Sequence, residues 1–230
     1  PGTLGRLIVD FSPINPLIET PSSIIPEINS TLQMLQGRAM YTSLDLRYAF
    51  MGLKIDEESM ALTTFLTPSG SWQWCSLPTG SSLSPCYFSD SMNRILHYSP
   101  VRDEWGGVIY EASNVVKQVR DPLPSVTSYM DDILITSDLK PTYAETLAAH
   151  FEIVEQAVDR LAFHGAKINV MKCEFSKSKI LFLGWYISHD YVIADPRRVE
   201  KVRDFKFPTC KKSVRAFLGL VNSLRRVITV

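Results

Sequence analysis

The stretch SVTSYMDDILITS, residues 125–137, decides how the chain is interpreted. The β-branched and aromatic residues on both sides of its centre, such as Val126 and Ile133, are typical of two β-strands. Asp131 and Asp132 stand between the two runs. A two-residue hairpin turn usually carries Asn-Gly or Asp-Gly, because its central residues need positive φ. This turn has no glycine, so it is either an ordinary solvated turn or a strained one.

The residues flanking this hairpin predict one helix before it and a longer helix after it. Residues 84–97 place apolar side chains at helical spacing. Thr142 and Glu145 form a capping box, apolar residues then recur at steps of three and four, and Gly165 ends the pattern. The remaining elements are predicted as strands at 5–11, 39–50, 167–175 and 180–188, a short helix over 28–35, a hairpin within 61–78, and basic helices from Pro196 onward.

The interval 99–124 is predicted to be a loop-rich insertion with one short strand at 108–110, because prolines and glycines interrupt it. The order of the other elements is strand, helix, strand pair, helix and strand, with hairpins added. This order predicts an α+β fold with a ferredoxin-like sheet of the split-βαβ type and helices packed on one face.

The charge balance of the chain argues against a general polyanion binder. The 230 residues are 45% hydrophobic and carry 24 basic and 24 acidic side chains. This balance hides an asymmetry, since residues 171–230 contain 13 Lys and Arg against 5 Asp and Glu, and residues 1–170 contain 11 against 19. The net charges of +8 and −8 predict one of two arrangements. Residues 171–230 bind a polyanion, or their basic side chains form a solvated helix face.

Three further features bear on where the protein works. No apolar run reaches the length of a membrane span, so we expect no membrane. The N-terminus PGTLGRLIVD lacks an initiator Met and a signal-peptide pattern, which suggests a fragment of a longer chain. The four cysteines are widely spaced and form no C-x-x-C pair, so we expect reduced thiols in an intracellular protein.

Asp131 and Asp132, together with Asp45 near the end of another predicted strand, offer the oxygen ligands of a hard-cation site. Mg²⁺ takes octahedral oxygen ligands and usually binds one or two carboxylates plus substrate phosphates. Two such ions can stabilise the attacking and leaving oxygens of an in-line phosphoryl transfer. Because neighbouring residues of a strand point to opposite faces, only a turn lets both aspartates approach one site. The alternative is a solvated Asp-Asp turn.

If the site forms, two structural features should accompany it. Met130 or Asp131 should have unusual backbone torsions. The three carboxylates should converge within a few Å, on the scale of shared Mg²⁺ coordination.

Several ordered segments resemble the reverse transcriptase domain of gypsy-like long-terminal-repeat retrotransposons and, more distantly, of retroviruses. They are GRLIVDFSPIN (5–15), YTSLDLRYAF (41–50), LPTGSSLSPCYF (77–88), YMDD (129–132), KCEF (172–175), FLGWYIS (182–188) and VRAFLGLVNSLRRVI (214–228). The resemblance covers nearly the whole chain. It implies a right-hand polymerase fold with a split-βαβ palm, partial fingers and the start of a thumb.

The resemblance implies a mechanism in which dNTPs are added to a primer 3′-OH by two Mg²⁺ ions, for which Mn²⁺ can substitute. Asp45, Asp131 and Asp132 would form the catalytic carboxylate triad, and the carbonyl of Leu46 would be a further metal ligand. Lys172 lies near the place where a lysine is proposed to protonate the leaving pyrophosphate.

The resemblance also assigns a nucleotide site. Phe50 falls at the steric-gate position, where a bulky ring would collide with a ribose 2′-OH and favour deoxynucleotides. The amide of Ala49 would contact the triphosphate, and Arg6 would stack on the incoming base and reach its α-phosphate. Thr79 and Met130 would complete the site, although relatives carry Gln or Phe where this chain has Thr79. The primer grip would consist of Phe182, Leu183, Gly184 and Trp185.

The implied domains are fingers at 1–40, truncated at the N-terminus, palm at 41–57, fingers at 58–83, palm at 84–193 with the insertion at about 99–124, and the start of the thumb at 194–230. The implied partners are an RNA or DNA template with its primer, dNTPs, and further polyprotein domains such as RNase H, integrase and protease. The implied location is intracellular, in a cytoplasmic virus-like particle.

Two other functions remain open from the sequence. The chain could be a catalytically impaired or domesticated polymerase-like domain that binds nucleic acid or serves as a scaffold. Thr79 and the insertion keep this alternative open. An RNA-dependent RNA polymerase is disfavoured by Phe50 and by YMDD, since such enzymes usually carry Gly-Asp-Asp.

Overall fold

A computed structural model describes residues 8–19, 28–109 and 116–224 of the chain. Their helices and strands follow in the order α1 (Ile28–Leu35), β1 (Met40–Asp45), α2 (Ala49–Gly52), α3 (Glu57–Leu62), β2 (Phe65–Thr67), β3 (Gly70–Trp72), α4 (Ser84–His97), β4 (Tyr98–Pro100), β5 (Gln118–Arg120), β6 (Val126–Tyr129), β7 (Asp132–Ser137), α5 (Tyr143–Phe163), β8 (Glu174–Lys177), β9 (Lys179–Phe182), β10 (Trp185–Ser188), β11 (Val192–Ala194), α6 (Pro196–Arg203) and α7 (Lys211–Asn222). The mixture of helices and antiparallel sheets confirms the predicted α+β class.

The chain divides into two compact units, and each is described by itself. The first unit comprises residues 1–25, 44–133 and 153–173, and the second comprises residues 26–43, 134–152 and 174–230. The main sheet has the strand order β6-β7-β1-β8.

The first unit is organised around α4. One face of this helix buries Phe88, Met92, Ile95 and Leu96, which recur at helical spacing as the sequence predicts. The helix packs against β4 and β6. The predicted hairpin within residues 61–78 is present as β2 and β3.

The second unit contains the antiparallel pairing of β1 with β8 and the three-stranded sheet β11-β10-β9. A bulge interrupts the β1–β8 register between Tyr41 and Ser43. The core of the second unit includes Leu32, Tyr41, Ile135, Ile180 and Ile187, each at most 1% exposed.

The ends of the long helix α5 confirm the predicted capping signals. The amide of Thr142 donates to the carboxylate of Glu145 at 3.1 Å, and the amide of Glu145 donates back to the Thr142 hydroxyl at 3.2 Å. Gly165, with a φ of 74°, follows the helix in the left-handed conformation that glycine tolerates. The short helix predicted over 28–35 is also present as α1.

Four predicted strands differ in the structure. The strand predicted over 39–50 ends at Asp45, because the backbone turns at Tyr48, which has a φ of 57°, and continues as α2. Within 167–175 a 3₁₀ turn covers Val170–Lys172 before β8 begins. The strand predicted over 180–188 is a hairpin of β9 and β10. Residues 8–11 form no strand, and the rest of the strand predicted at 5–11 lies outside the described residues.

Candidate functional site

The turn between β6 and β7 is strained, as predicted. Met130 has a φ of 53°, whereas Asp131 does not have a positive φ. A positive φ at the first loop residue alone is the signature of a type II′ turn, which normally places glycine there. A left-handed conformation costs a residue with a side chain about 1–2 kcal/mol. The hairpin therefore holds Asp131 in the turn and starts β7 at Asp132 at an energetic cost.

Asp45 ends β1 beside a second segment of the first unit. The amide of Asn169 donates to the Asp45 carbonyl at 2.9 Å, and the amide of Arg47 donates to the Lys167 carbonyl at 2.6 Å. Leu46 and Ile168 form an isolated antiparallel bridge between these hydrogen bonds. Residues 45–47 thus gain a partner strand at the point where β1 turns towards α2.

The carboxylate of Asp45 has a cationic neighbour. The ammonium of Lys172 lies 3.6 Å from Asp45 Oδ2, with the two side chains 66% and 31% exposed. The sequence placed this lysine near the catalytic carboxylates only through resemblance. The structure gives its contact: the 3₁₀ turn at Val170–Lys172 brings it there.

Seven of the predicted site residues line one cleft of about 330 Å³ in the first unit. They are Asp45, Leu46, Ala49, Phe50, Thr79, Asp131 and Lys172. The cleft is also lined by residues that the sequence analysis did not name, which are Arg47, Tyr48, Met51 and Asn169. Met130 and Asp132 are not among its lining residues.

The electrostatics of Asp132 connect it to this cleft. Partial burial raises the pKa of Asp132 above its ordinary value, and the negative charge of Asp45 raises it further. The side chain nevertheless reaches solvent. The Asp45 carboxylate is therefore close enough to disfavour ionisation of Asp132, and a bound cation would relieve this repulsion.

The structure does not show the predicted convergence of all three carboxylates on the scale of shared Mg²⁺ coordination. In the described part of the chain, no three His, Cys, Asp or Glu side chains are arranged to hold a metal ion. The physical reason is repulsion between like charges, together with the opposite directions of successive residues where β7 begins. The donor atoms still suit Mg²⁺, because the set consists of carboxylates and one strand-end carbonyl.

Phe50 and Thr79 line the same cleft as Asp45 and Asp131. The Phe50 ring lies 4.8 Å from the fully buried ring of Phe88, centroid to centroid, which fixes its position. The hydroxyl of Thr79 is buried and has no hydrogen-bond partner among the described residues. A buried hydroxyl without a partner is unfavourable, so a ligand that pairs with it would gain affinity.

A family model described as "Reverse transcriptase (RNA-dependent DNA polymerase)" matches residues 3–187. The chain belongs to the reverse transcriptase family. It is 29% identical over 227 residues to the transposon Tf2-7 polyprotein of Schizosaccharomyces pombe (strain 972 / ATCC 24843) and 30% identical to the Tf2-3 polyprotein of the same organism. Both alignments cover 99% of this chain but 15% of the polyprotein, so the chain spans a small part of these relatives.

Solved structures share the fold of this reverse transcriptase chain. A foamy viral protease–reverse transcriptase dRH in complex with double-stranded DNA matches with a TM-score of 0.75 and 20% identity, over 96% of this chain and 33% of that one. The foamy viral protease–reverse transcriptase in complex with an RNA/DNA hybrid matches with a TM-score of 0.71 and 21% identity. This match covers 96% of this chain and 26% of the foamy viral chain. These likenesses confirm the polymerase fold that the motifs implied.

The segment of this reverse transcriptase predicted as the primer grip lies in the second unit. Phe182 and Trp185 are each 3% exposed and end the paired strands β9 and β10. Leu183 and Gly184 form the turn between them, with φ of 50° and 76°. Positive φ at both positions is the type I′ pattern, for which Asn-Gly is usual. Only the two turn residues of this segment are half-exposed, so they are the ones available for contact.

In this reverse transcriptase the described residues of the segment predicted as an insertion include paired strands, where a loop-rich segment was expected. Its ends pair as β4 and β5, with Tyr98 opposite Arg120 and Pro100 opposite Gln118. Val108 forms an isolated bridge with Arg102, in place of the strand predicted over 108–110. Tyr110 lies outside the described residues.

Three further predictions concern Arg6, the cysteines and membrane spans. Arg6, predicted to contact the incoming nucleotide, lies outside the described residues. The four cysteines are free thiols. None of the described helices is both long enough and apolar enough to cross a membrane.

Proposed function

We propose that the chain is the polymerase core of an RNA-directed DNA polymerase, a nucleotidyltransferase that adds dNTPs to a primer 3′-OH. The observation that carries the proposal is the cleft in which Asp45, Asp131 and Lys172 meet beside the strained YMDD hairpin, in a chain of the reverse transcriptase family. Relatives that are transposon polyproteins support the same proposal.

The carboxylates of Asp45, Asp131 and Asp132 and the carbonyl of Leu46 would hold two Mg²⁺ ions, which Mn²⁺ can replace. When bound, these ions would stabilise charge on the attacking and leaving oxygens of the phosphoryl transfer. The residues fit this role because they supply hard oxygen donors in a region where Asp45 raises the pKa of Asp132. The Lys172 ammonium provides part of the positive charge that balances the Asp45 carboxylate.

Lys172 has a second proposed role, as the acid that protonates the leaving pyrophosphate. The Lys172 side chain is 66% exposed and lines the cleft, so its ammonium can reach a bound phosphate by rotation of the flexible four-carbon stem.

The nucleotide would occupy the cleft between the carboxylates and the rings. Phe50 is held by Phe88 and would exclude a ribose 2′-OH, and the unpartnered hydroxyl of Thr79 would bond to the nucleotide. The amide of Ala49 and the side chains of Arg6 and Met130 complete the proposed site.

The second unit would hold the template and primer. The turn at Leu183–Gly184 serves as the primer grip, and the basic helices α6 and α7 bind phosphates as the start of the thumb. In this proposal residues 1–40 and 58–83 are fingers, residues 41–57 and 84–193 are palm, and residues 194–230 begin the thumb. RNase H, integrase and protease domains would belong to the same polyprotein, inside a cytoplasmic virus-like particle.

Primer extension on poly(rA)/oligo(dT) with Mg²⁺ or Mn²⁺ tests the proposal. Wild-type protein should incorporate dTTP, and Asp45→Asn or Asp131→Asn should lower the rate by about two orders of magnitude or more, because each removes charge that acts on the transition state. Asp190→Asn, an exposed aspartate between β10 and β11, is the matched control and should retain the wild-type rate. Full activity of Asp131→Asn would refute the proposal.

A second candidate function is that of a catalytically impaired polymerase-like domain that serves as a nucleic-acid-binding scaffold. Thr79 favours it, because this short side chain lines the cleft where relatives carry Gln or Phe. This alternative predicts that wild-type protein binds the primed template but incorporates no dNTP with either metal ion. The same assay therefore separates the two functions.

A further inference from the structure

One short segment, residues 169–173, contacts the backbone amide, the backbone carbonyl and the carboxylate of Asp45. The amide of Asn169 donates to the Asp45 carbonyl at 2.9 Å. The amide of Asp45 donates to the sulfur of Cys173 at 3.4 Å. Lys172, between these two residues, places its ammonium 3.6 Å from the Asp45 carboxylate. All four residues belong to the first unit.

The cysteine closes a ring of hydrogen bonds around the backbone of Asp45. Its sulfur accepts from the Asp45 amide, and its S–H donates to the Asn169 carbonyl at 3.3 Å. Since the Asn169 amide donates to the Asp45 carbonyl, each of the three residues donates to the next. A thiol can fill this place because it is both a weak donor and a weak acceptor.

The need for such a ring follows from the position of Asp45 in the fold. It is the last residue of β1, and three residues later Tyr48 takes a φ of 57°. The regular pairing of β1 gives way here to the short pairing of residues 45–47 with residues 167–169, and the part-buried Asp45 amide needs a hydrogen-bond partner. The half-buried sulfur of Cys173 supplies that partner.

We propose that Cys173 is a positioning residue for Asp45, holding the backbone of the catalytic aspartate through the Asp45–Asn169–Cys173 ring. The proposal deepens the polymerase function and rests on it for its catalytic consequence. Its structural consequence, protection of the Asp45 amide, does not depend on activity.

Amide hydrogen exchange in EDTA tests the structural part. Cys173→Ala should accelerate exchange of the Asp45 amide by about 3- to 10-fold, the range expected for loss of one hydrogen bond of ordinary net strength. Cys173→Ser keeps a donor and an acceptor and should restore most of the protection. Cys75→Ala removes an exposed thiol and should leave exchange at Asp45 unchanged.

Steady-state primer extension tests the catalytic part with the same variants. Cys173→Ala should lower kcat by about 3- to 10-fold with the KM for dNTP within about twofold of wild type, since a misplaced aspartate weakens the transition state more than ground-state binding. Cys173→Ser should recover most of kcat. If wild-type protein incorporates no dNTP, the proposed polymerase function fails, while the exchange experiment still decides the role of Cys173.

Two outcomes would overturn the positioning role. One is unchanged exchange at Asp45 in a folded Cys173→Ala protein. The other is equal loss of protection in the Ala and Ser variants, which would indicate packing of the sulfur instead of hydrogen bonding.

If Cys173→Ala does not fold, reversible capping replaces it. A Cys75→Ser, Cys86→Ser, Cys210→Ser protein is treated with methyl methanethiosulfonate after folding. Exchange at Asp45 should accelerate and then recover when dithiothreitol removes the cap. No acceleration in the capped protein would contradict the proposal.

Discussion

At the residue scale, the two ends of the YMDD turn have different physical properties. Met130 bears the backbone strain, with a φ of 53°. Asp132 bears the electrostatic strain, because burial and the charge of Asp45 both raise its pKa. Strain of this kind persists where the surrounding structure fixes it, and it is concentrated at functional sites. Each kind can be relieved by one substitution.

Met130→Gly should stabilise the protein by about 1 kcal/mol, because glycine adopts a positive φ without steric cost. The free energy of unfolding is measured by urea titration. Glu155→Gly is the control, since it places glycine at an exposed position inside α5 and should destabilise by about 1 kcal/mol. Equal destabilisation by both variants would show that the Met130 conformation is not strained.

Asp132→Asn should raise the free energy of unfolding at pH 7 in EDTA. In the folded state the pKa of Asp132 lies above its unfolded value, so ionisation of the group opposes folding at every pH above the folded pKa. Below the unfolded value of about 3.9 both states are protonated, and the advantage of asparagine should vanish. Denaturant titrations at pH 7 and near pH 3 check this, and a stabilisation that is equal at both pH values would contradict it.

Phe50→Ala should increase incorporation of rNTPs relative to dNTPs by at least about 10-fold, because the ring that Phe88 holds in the cleft would no longer exclude a 2′-OH. The ratio of kcat/KM for rTTP and dTTP is the measurement. Phe65→Ala truncates a half-buried ring that does not line the cleft and should leave the ratio unchanged. An unchanged ratio in Phe50→Ala would remove the steric-gate role.

The sequence predicted which residues line the cleft, but it did not predict how they are arranged there. Asp45, Asp131 and Lys172 do share one cleft, and Met130 has the predicted torsion. Convergence of all three carboxylates was not found, because a motif names the ligands and does not show that successive residues at the start of β7 point in opposite directions. Cys173 was assigned no role, since its contact with Asp45 joins residues 128 positions apart.

At the element scale, the structure departs from the sequence prediction mainly where a strand turns. Residues 180–188 read as one β-run, because Leu183–Gly184 lacks the Asn or Asp that usually marks a type I′ turn. Residues 46–50 read as a continuation of β1, because nothing in their composition requires the left-handed Tyr48. Helices α1, α4 and α5 were predictable, since periodicity and caps are local signals.

Gly184→Ala should destabilise the protein by about 1–2 kcal/mol, the cost of a left-handed conformation for a residue with a side chain. A Cβ at this position would also overlap the guanidinium of Arg198, which would have to move. Gly219→Ala is the matched control, because its Cβ would enter open space inside α7 and should stabilise by up to about 1 kcal/mol. Urea titration of both variants gives the two signs, and stabilisation by Gly184→Ala would contradict the type I′ assignment.

At the scale of the whole molecule, the charge asymmetry found in the sequence coincides with the end of the chain that forms α6 and α7. Some of this charge is compensated locally, since Arg197 pairs with Asp195 and Arg203 with Asp204. Lys211, Lys212 and Arg215 of α7 are exposed and form no ion pair with another described residue. These three cations are therefore available for phosphates.

Replacing Lys211, Lys212 and Arg215 with Gln should weaken binding of an RNA/DNA hybrid. It should also reduce the slope of log K against log salt by up to about 3, because each phosphate contact releases close to one counterion. Fluorescence anisotropy across a salt series measures both quantities. Lys54→Gln, a single cation of the first unit, serves as the control, and an unchanged slope in the triple variant would exclude α7 from the interface.

Arg160 forms hydrogen bonds to both ends of the β4–β5 hairpin. Its guanidinium donates to the carbonyls of Leu96 and Asp121 at 2.7 and 2.6 Å, and the Ser99 hydroxyl donates to the Asp121 carboxylate at 2.6 Å. Arg160 thus links the residue before the end of α4, Leu96, to the residue that follows β5, Asp121, so the two ends of the hairpin are held together at its base. Because its ends are held in this way, the hairpin can be lengthened, shortened or replaced during evolution without changing how α4 packs against β6. Diversity between relatives should accumulate there, because the domain beneath does not depend on it for closure.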